Sequence, residues 1–338
     1  MANRIDSPNA ERDAWLASYT EDILDPDLAI IDAHHHLWIR NEVPYLLREF
    51  ADDLNSGHNV IGTVFAECHS MYRTSGPEEE KSIGEMEFIA GVSAMSDSGA
   101  FDTQAVCRTG IGNVDLTLGD GAKPILEALT EASGYRFRGV RASICWHEDQ
   151  RLHNAAPFEH YLQNDQVRLG IAALSGLGHS LDIWGYHTQL DEVIEICDAF
   201  PDLRVILNHT GTPILGGPYR DQLDDVKAEW LKGMTALSER HNVYLKLGAL
   251  PAKFEHNDPD APPTSEAVAH AWQPWIEPCI DAFGSDRCFF ESNFPVHKNW
   301  VSYPVLWNAF KRIAAGATAE EKADLFERSA KRAYRWPE

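Results

Sequence analysis

The chain has 338 residues and a mass of 37.9 kDa, room for one large domain or two ordinary ones, which excludes a disulfide-stapled miniprotein and a coiled-coil rod. Hydrophobic residues make up 44% and charged residues 24%, the balance of an ordinary folded protein and of neither a disordered chain nor a membrane bundle. With 29 Lys plus Arg against 52 Asp plus Glu, the formal net charge is −23, a field that repels phosphate backbones and anionic lipid and so argues against nucleic acid and membranes as partners.

Residues 1–27 read as a polar, acidic N-terminal extension with no basic-then-apolar signal. The apolar run LAIIDAHH from Leu28 is the first expected strand, and NVIGTVFAE from Asn59 the second. Glu78 to Glu80 is the solvated start of a helix over Ile83 to Met95. QAVCRTGIGN from Gln104, a helix from Lys123 to Ala132, and FRGVRASIC from Phe137 follow. Next come a helix from Asp165 to Leu177 and the strand SLDIWGY from Ser180. Leu190, Val193, Ile194, Cys197 and Phe200 then share one helical face, which Pro201-Asp202 ends before the strand LRVILNH from Leu203. A helix from Asp221 to Arg240, NVYLKLG from Asn242, a helix from Ala267 to Phe283 and RCFFESN from Arg287 complete the alternation. Helices from Trp307 to Ala315 and from Ala319 to Tyr334 close the chain.

Eight such strands alternating with helices predict an α/β fold, a closed (β/α)8 barrel spanning 28–338 as a single domain with C-terminal helices. An open doubly wound sheet is the rival, but the first strand leads into His-x-His and no G-x-G-x-x-G occurs. The stretches Gly211 to Pro218 and Pro251 to Pro263 follow strands and read as long loops on the active face. Six scattered cysteines without a C-x-x-C pair indicate reduced thiols in a cytoplasmic protein, and Cys68 and Cys145 read as small buried hydrophobes, not nucleophiles.

In such a barrel, function sits at the carboxyl ends of the strands. Period-two alternation in Asp32-Ala33-His34-His35-His36 puts His34 and His36 on one side and His35 on the other. The fifth strand ends at His187, the sixth at His209, and the eighth at Glu291-Ser292-Asn293, so four histidines from three strands converge on one mouth. Neutral imidazoles suit Zn2+ and similar divalent ions, and an ion with an open position makes hydroxide at neutral pH, which points to hydrolysis.

At these residues the sequence resembles the amidohydrolase superfamily, in its amidohydrolase-2 branch of TIM-barrel metal-dependent hydrolases, which includes lactonases. IDAHHHLW, GTVFAECHSMY, GIGNVDL, FRGVRASICW, DIWGYHTQL, VILNHTGTP, VYLKLGAL and RCFFESNFPV carry the likeness in order from Ile30 to Val296. The resemblance implies that His34 and His36 hold a metal or position substrate, that His187 and His209 complete the site, and that the eighth strand supplies a carboxylate. Where most members carry Asp in G-S-D-W-P, this chain has Glu291-Ser292-Asn293-Phe294-Pro295. An amide is a poor ligand and no base, so Glu291 is expected to supply the carboxylate, with Glu67 next if Glu291 lies too deep. The expected metal set is therefore His34, His36, His187 and Glu291, and the expected catalytic set His187, His209, Glu291 and Asn293. A metal-free variant stays open.

Arg141, Lys246 and Arg73 are candidate cations for a substrate carboxylate, and Tyr186, Gln189, Trp146 and Trp184 candidate pocket walls. The expected activity is hydrolysis of a small anionic lactone. Rivals are a nonoxidative decarboxylase of an aromatic or unsaturated acid and a catalytically silent barrel that binds a metabolite. A small molecule is the expected partner, and self-association stays open.

Overall fold

Apolar runs bounded by turn residues, too uniformly hydrophobic to leave one face in water, pair as parallel strands and take helices on the outside. The computed structural model describes residues 9–250 and 261–337 and shows this arrangement. One sheet contains, in order, β1 (Ile30–His35), β2 (Val60–Ala66), β3 (Thr109–Gly112), β4 (Phe137–Ser143), β5 (Ser180–Trp184), β6 (Val205–Leu207), β7 (Val243–Leu247) and β8 (Cys288–Phe290), all pairs parallel. The ring closes just past β8, where His36 N donates to Phe294 O at 2.7 Å and Asn293 N to His34 O at 2.9 Å. Asp32 clamps this seam by accepting from Ser292 N (3.0 Å), Ser292 Oγ (2.6 Å) and Tyr303 Oη (3.0 Å). Burial lifts its carboxyl to about 6, although those donors pull the other way.

The outer ring follows the expected order, with ends moved by a few residues. Helix α1 (Ala10–Ala17) precedes β1, and α2 (Leu47–Leu54) lies between β1 and β2 with Leu47, Phe50, Ala51 and Leu54 buried. Then come α3 (Ile83–Asp97), α4 (Ala122–Ala132), α5 (Asp165–Gly176), α6 (Leu190–Ala199), α7 (Leu223–Ser238) and α8 (Ser265–Phe283). On α6 the buried stripe is Leu190, Val193, Ile196 and Cys197, and Ile194 is only half-buried. Helix α9 (Tyr303–Ile313) starts four residues earlier than the periodicity suggests, because Ser302 is extended and Pro304 is tolerated in the first turn, where its missing N–H costs nothing. The segment expected as one helix from Ala319 is α10 (Ala319–Ala323), a π turn over Asp324–Arg328, and α11 (Ser329–Ala333). Among the described residues no helix is long and apolar enough to cross a membrane.

Ile31, Ala33, Val64, Ile111, Ile206 and Phe289 fill the barrel near the strands' amino ends, and Ala330, Ala333 and Tyr334 pack into them as a plug. A larger shell between sheet and helices completes the core. All six cysteines are buried and unpaired. The loop expected over Pro251 to Pro263 lies, for residues 251–260, outside the described residues.

The plug is anchored by chemistry as well as shape. Tyr334 Oη donates to Asp182 Oδ2 at 2.8 Å, and the same carboxylate accepts from Asn208 Nδ2 (3.0 Å) and pairs with Lys246 Nζ (2.9 Å). Tyr334→Phe keeps the ring and removes one donor from a buried carboxylate, so urea unfolding is expected to show a loss of about 1–3 kcal/mol. Unchanged stability would contradict the anchoring role.

Candidate active site

Above the apolar plug the barrel turns polar. Lys246, on β7, is fully buried and reaches His34 Nδ1 at 3.1 Å as well as Asp182. An ammonium has only donors, so Nδ1 of His34 accepts and its Nε2 carries the proton. That nitrogen faces His36 Nε2 at 3.2 Å, and His36 Nδ1 donates to Ala66 O at 2.9 Å. The two imidazoles are thus strung between a lysine and a strand carbonyl. Burial, reinforced by Lys246 at His34 and Arg141 at His36, holds both well below the usual histidine range, and both are neutral. His35 turns away to Thr63 Oγ1 (2.9 Å) and packs on Phe50.

His209 enters from β6 by an unusual route. His209, Thr210, Gly211 and Thr212 all have positive φ (59°, 53°, 67° and 38°), a left-handed turn that is unfavourable for the three residues with a Cβ. The turn is held at its ends. Thr210 Oγ1 donates to Gly248 O and accepts from Gly248 N, both at 3.0 Å, and Trp230 Nε1 donates to Thr210 O at 2.9 Å. At Gly211 a Cβ would come within 2.8 Å of Met234 Sδ, so a side chain there would have to displace that thioether on a backbone already in the left-handed region.

This geometry presents both His209 N (3.0 Å) and His209 Nδ1 (2.7 Å) to Glu291 Oε1. In the neutral ring Nδ1 therefore carries the proton and Nε2 the lone pair. Burial alone would raise the Glu291 carboxyl, but His209 and the Lys246 charge hold it below the ordinary carboxylate value, so it is ionised.

His209 borders a cavity of about 770 Å³ at the carboxyl ends of the strands, together with His36, Arg141, Trp184 and Asn293. Arg141 Nε donates to Glu67 Oε1 at 2.8 Å and Nη2 to Glu67 O at 2.9 Å, so its charge is matched inside the wall. Asn293 Nδ2 meets His297 Nδ1 at 3.3 Å while His297 Nε2 binds Leu250 O at 3.0 Å, and the Asn293 Oδ1 has no partner.

The structure brings together His34, His36, His209, Glu291 and, on the cavity wall, Asn293, Arg141 and Trp184. Six other expected residues stand elsewhere. His187 is not in the cluster: its Nδ1 accepts from Ile214 N at 3.3 Å and its ring packs against Tyr219. Its strand ends three residues earlier, at Trp184, and the chain has already turned outward. Arg73 is exposed and pairs with Glu87, away from the cavity. Gln189 is a backbone clamp, donating to Ile144 O (2.7 Å) and accepting from Trp146 N and Tyr186 N (both 3.2 Å). Trp146 and Tyr186 are the loops it ties, and Tyr186 Oη donates to His153 O at 2.7 Å. Lys246 is buried beneath His34 and holds that ring instead of facing substrate. Sequence reasoning passed over Arg40, Trp38, His69, His153 and His297 on the cavity wall. The first two share the His36 alternation, a signal that was available.

A metal fits this centre. The ligand atoms of His34, His209 and Glu291 lie within 4.8 Å of one another. Glu291 Oε2 is buried without an aligned donor although it is 3.0 Å from His34 Nδ1. The 3.2 Å between the His34 and His36 Nε2 atoms is near what two nitrogens take on one tetrahedral ion bound at about 2.0–2.1 Å, and an ion there would displace the proton that His34 Nε2 otherwise carries.

The family model described as Amidohydrolase matches residues 31–336. The uncharacterized protein y4mH of Sinorhizobium fredii is 30% identical over 337 residues, covering 91% of this chain and 99% of that protein. The L-fucono-1,5-lactonase of Burkholderia multivorans is 25% identical over 218 residues, covering 64% of this chain and 69% of that enzyme. Among solved structures, an amidohydrolase of Burkholderia multivorans with bound zinc has the same fold, with a TM-score of 0.69 at 20% identity over 91% of this chain and 100% of that one.

One buried carboxyl beneath the wall makes stability depend on pH. Glu85, on α3, accepts from Cys68 N (3.0 Å) and Ser70 N (2.9 Å) and so fixes the loop that carries Glu67. Burial, then the neighbouring Glu67, pushes its carboxyl up to about 8, so the folded protein holds a proton that the unfolded chain releases near 4.5. This contribution is complete below about pH 4.5 and is lost as pH rises through about 8. Glu85→Gln keeps an acceptor for both amides and removes the titration. Between pH 6 and 9 the melting temperature should fall more steeply in wild type than in the variant; parallel curves would contradict the assignment.

Proposed function

The chain belongs to the amidohydrolase family, and from that membership we propose that it is a hydrolase that opens a small, carboxylate-bearing lactone. The observation that carries this reading is the ionised, buried Glu291 fixing His209 with its Nε2 lone pair at the cavity. The distant likeness to an L-fucono-1,5-lactonase supports the choice of a lactone.

His209 Nε2 takes a proton from the attacking water as its oxygen bonds to the lactone carbonyl, and Glu291 stabilises the resulting imidazolium through Nδ1–H. Arg141, whose Nη1 lies 3.4 Å from His34 Nε2 at the cavity wall, is the cation placed to steady the developing oxyanion. When the tetrahedral adduct collapses, the acyl–oxygen bond of the ring breaks, and His209 returns its proton to the departing alkoxide. The product is a hydroxy acid whose new carboxyl ionises, releasing the second proton of the water to solvent and leaving one carboxylate and one hydroxyl on the same molecule. Zinc is the ion we assign to the donors of His34, His36 and Glu291, which leaves His209 Nε2 free as the base; when bound it would supply a water of lowered pKa and an electrophile for the carbonyl oxygen.

The test is a panel of muconolactone, L-fucono-1,5-lactone and hydroxybenzoates, read by acid release and by CO2. Acid without CO2 from a lactone is expected, and His209→Asn or Glu291→Gln should lower kcat/KM by roughly 10²–10⁴-fold. CO2 evolution from a hydroxybenzoate with no lactone turnover would overturn the reading, and so would a His209→Asn variant of wild-type activity.

A further inference from the structure

The three cations expected to receive a substrate carboxylate are all committed within the protein: Arg141 to Glu67, Lys246 to Asp182 and Arg73 to Glu87. Among the described residues that line the cavity, only Arg40 and Arg141 bear a permanent positive charge, and Glu67 is the sole carboxylate. With Arg141 and Glu67 matched, the charge of Arg40 is left over, a local excess of positive charge in a protein of net charge −23.

Arg40 is placed there by a hairpin. Trp38–Arg40 pairs antiparallel with Val43–Tyr45, Arg40 opposite Val43, around the two-residue loop Asn41-Glu42. Both loop residues have positive φ (52° and 64°), the backbone a twisted two-residue hairpin requires. Alternation continues from β1 through this strand, so His36, Trp38 and Arg40 form a ladder with Ile39 on the opposite side, 53% exposed. The His36 and Trp38 rings are stacked with centroids 5.3 Å apart, and the Arg40 guanidinium lies 3.7 Å above the Trp38 ring. One Arg40 donor, Nη2, is used on Cys68 O at 3.2 Å. The stacked contact keeps the guanidinium flat and pre-set, with its remaining donors unspent on carboxylates of the described residues.

We infer that Arg40 is the specificity-determining residue for the substrate carboxylate, and that Trp38 is the platform on which the ring lies between that carboxylate and the His36 end of the ladder. The substrate class is a monocyclic lactone with its carboxylate on a short side arm, held at the rim while the ring carbonyl reaches the histidines. This rests on the lactone reading above and names its substrate more closely.

Two measurements separate the claims. In turnover, Arg40→Met should lower the kcat/KM preference for muconolactone over neutral L-fucono-1,5-lactone about tenfold or more, chiefly through KM, with Arg40→Lys recovering part of it. A preference that does not change, or one lost through kcat alone, overturns the inference. In binding, tetrahydrofuran-2-carboxylate and its carboxamide, which have no lactone to open, are titrated by calorimetry. Wild type should favour the carboxylate and Arg40→Met should not; equal affinities in wild type, or discrimination retained in the variant, overturn the assignment. Intact discrimination with no lactone opened would support the Arg40 site and remove the lactone reading.

Discussion

A negative charge sealed inside a barrel is tolerable only if donors surround it, and the Glu291 carboxylate meets that condition by organising everything near it. Oε1 takes two N–H groups from one residue, His209, which fixes both the ring and the left-handed turn that carries it. Oε2 lies beside His34, whose other constraint is the buried Lys246. Lys246 is in turn held by Asp182, which also anchors the Tyr334 plug. The histidine rim and the apolar floor are therefore one network, and the strain of the turn at His209 to Thr212 is offset by bonds to Gly248, just past β7, and to Trp230.

The fold was legible because parallel strands buried on both faces leave uniform apolar runs, and all eight stand where those runs fall. The helices were legible wherever their stripes were long. Helix α2 and the hairpin at 38–45 escaped notice because eight residues and two three-residue strands produce too short a pattern beside a Pro and scattered charges. The π turn at Asp324–Arg328 has no periodic signature of its own and read as ordinary helix.

At the site, alternation was enough to pair His34 with His36, and the two-residue offset from Asn293 was enough to single out Glu291. What a sequence does not show is which cation is already spent. For Arg141, Lys246 and Arg73 the sequence leaves substrate binding and pairing with Glu67 or Glu291 equally open; Arg141 does pair with Glu67, whereas Lys246 pairs with Asp182 and Arg73 with Glu87. His187 illustrates a related limit, since a strand that ends at Trp184 leaves a histidine three residues on directed by the loop and not by the barrel. Gln189 looked like a polar pocket residue and is a clamp because both ends of its amide meet main chain.

The central claim is that Glu291 holds His209 as the tautomer protonated on Nδ1. The most direct test is 15N NMR of the histidine rings, with His209 assigned by its disappearance in His209→Asn. Wild-type His209 at neutral pH is expected to show a protonated, strongly hydrogen-bonded Nδ1 and an unprotonated Nε2, and Glu291→Gln to lose this state. A wild-type His209 protonated on Nε2 alone, or one unaffected by Glu291→Gln, would contradict it.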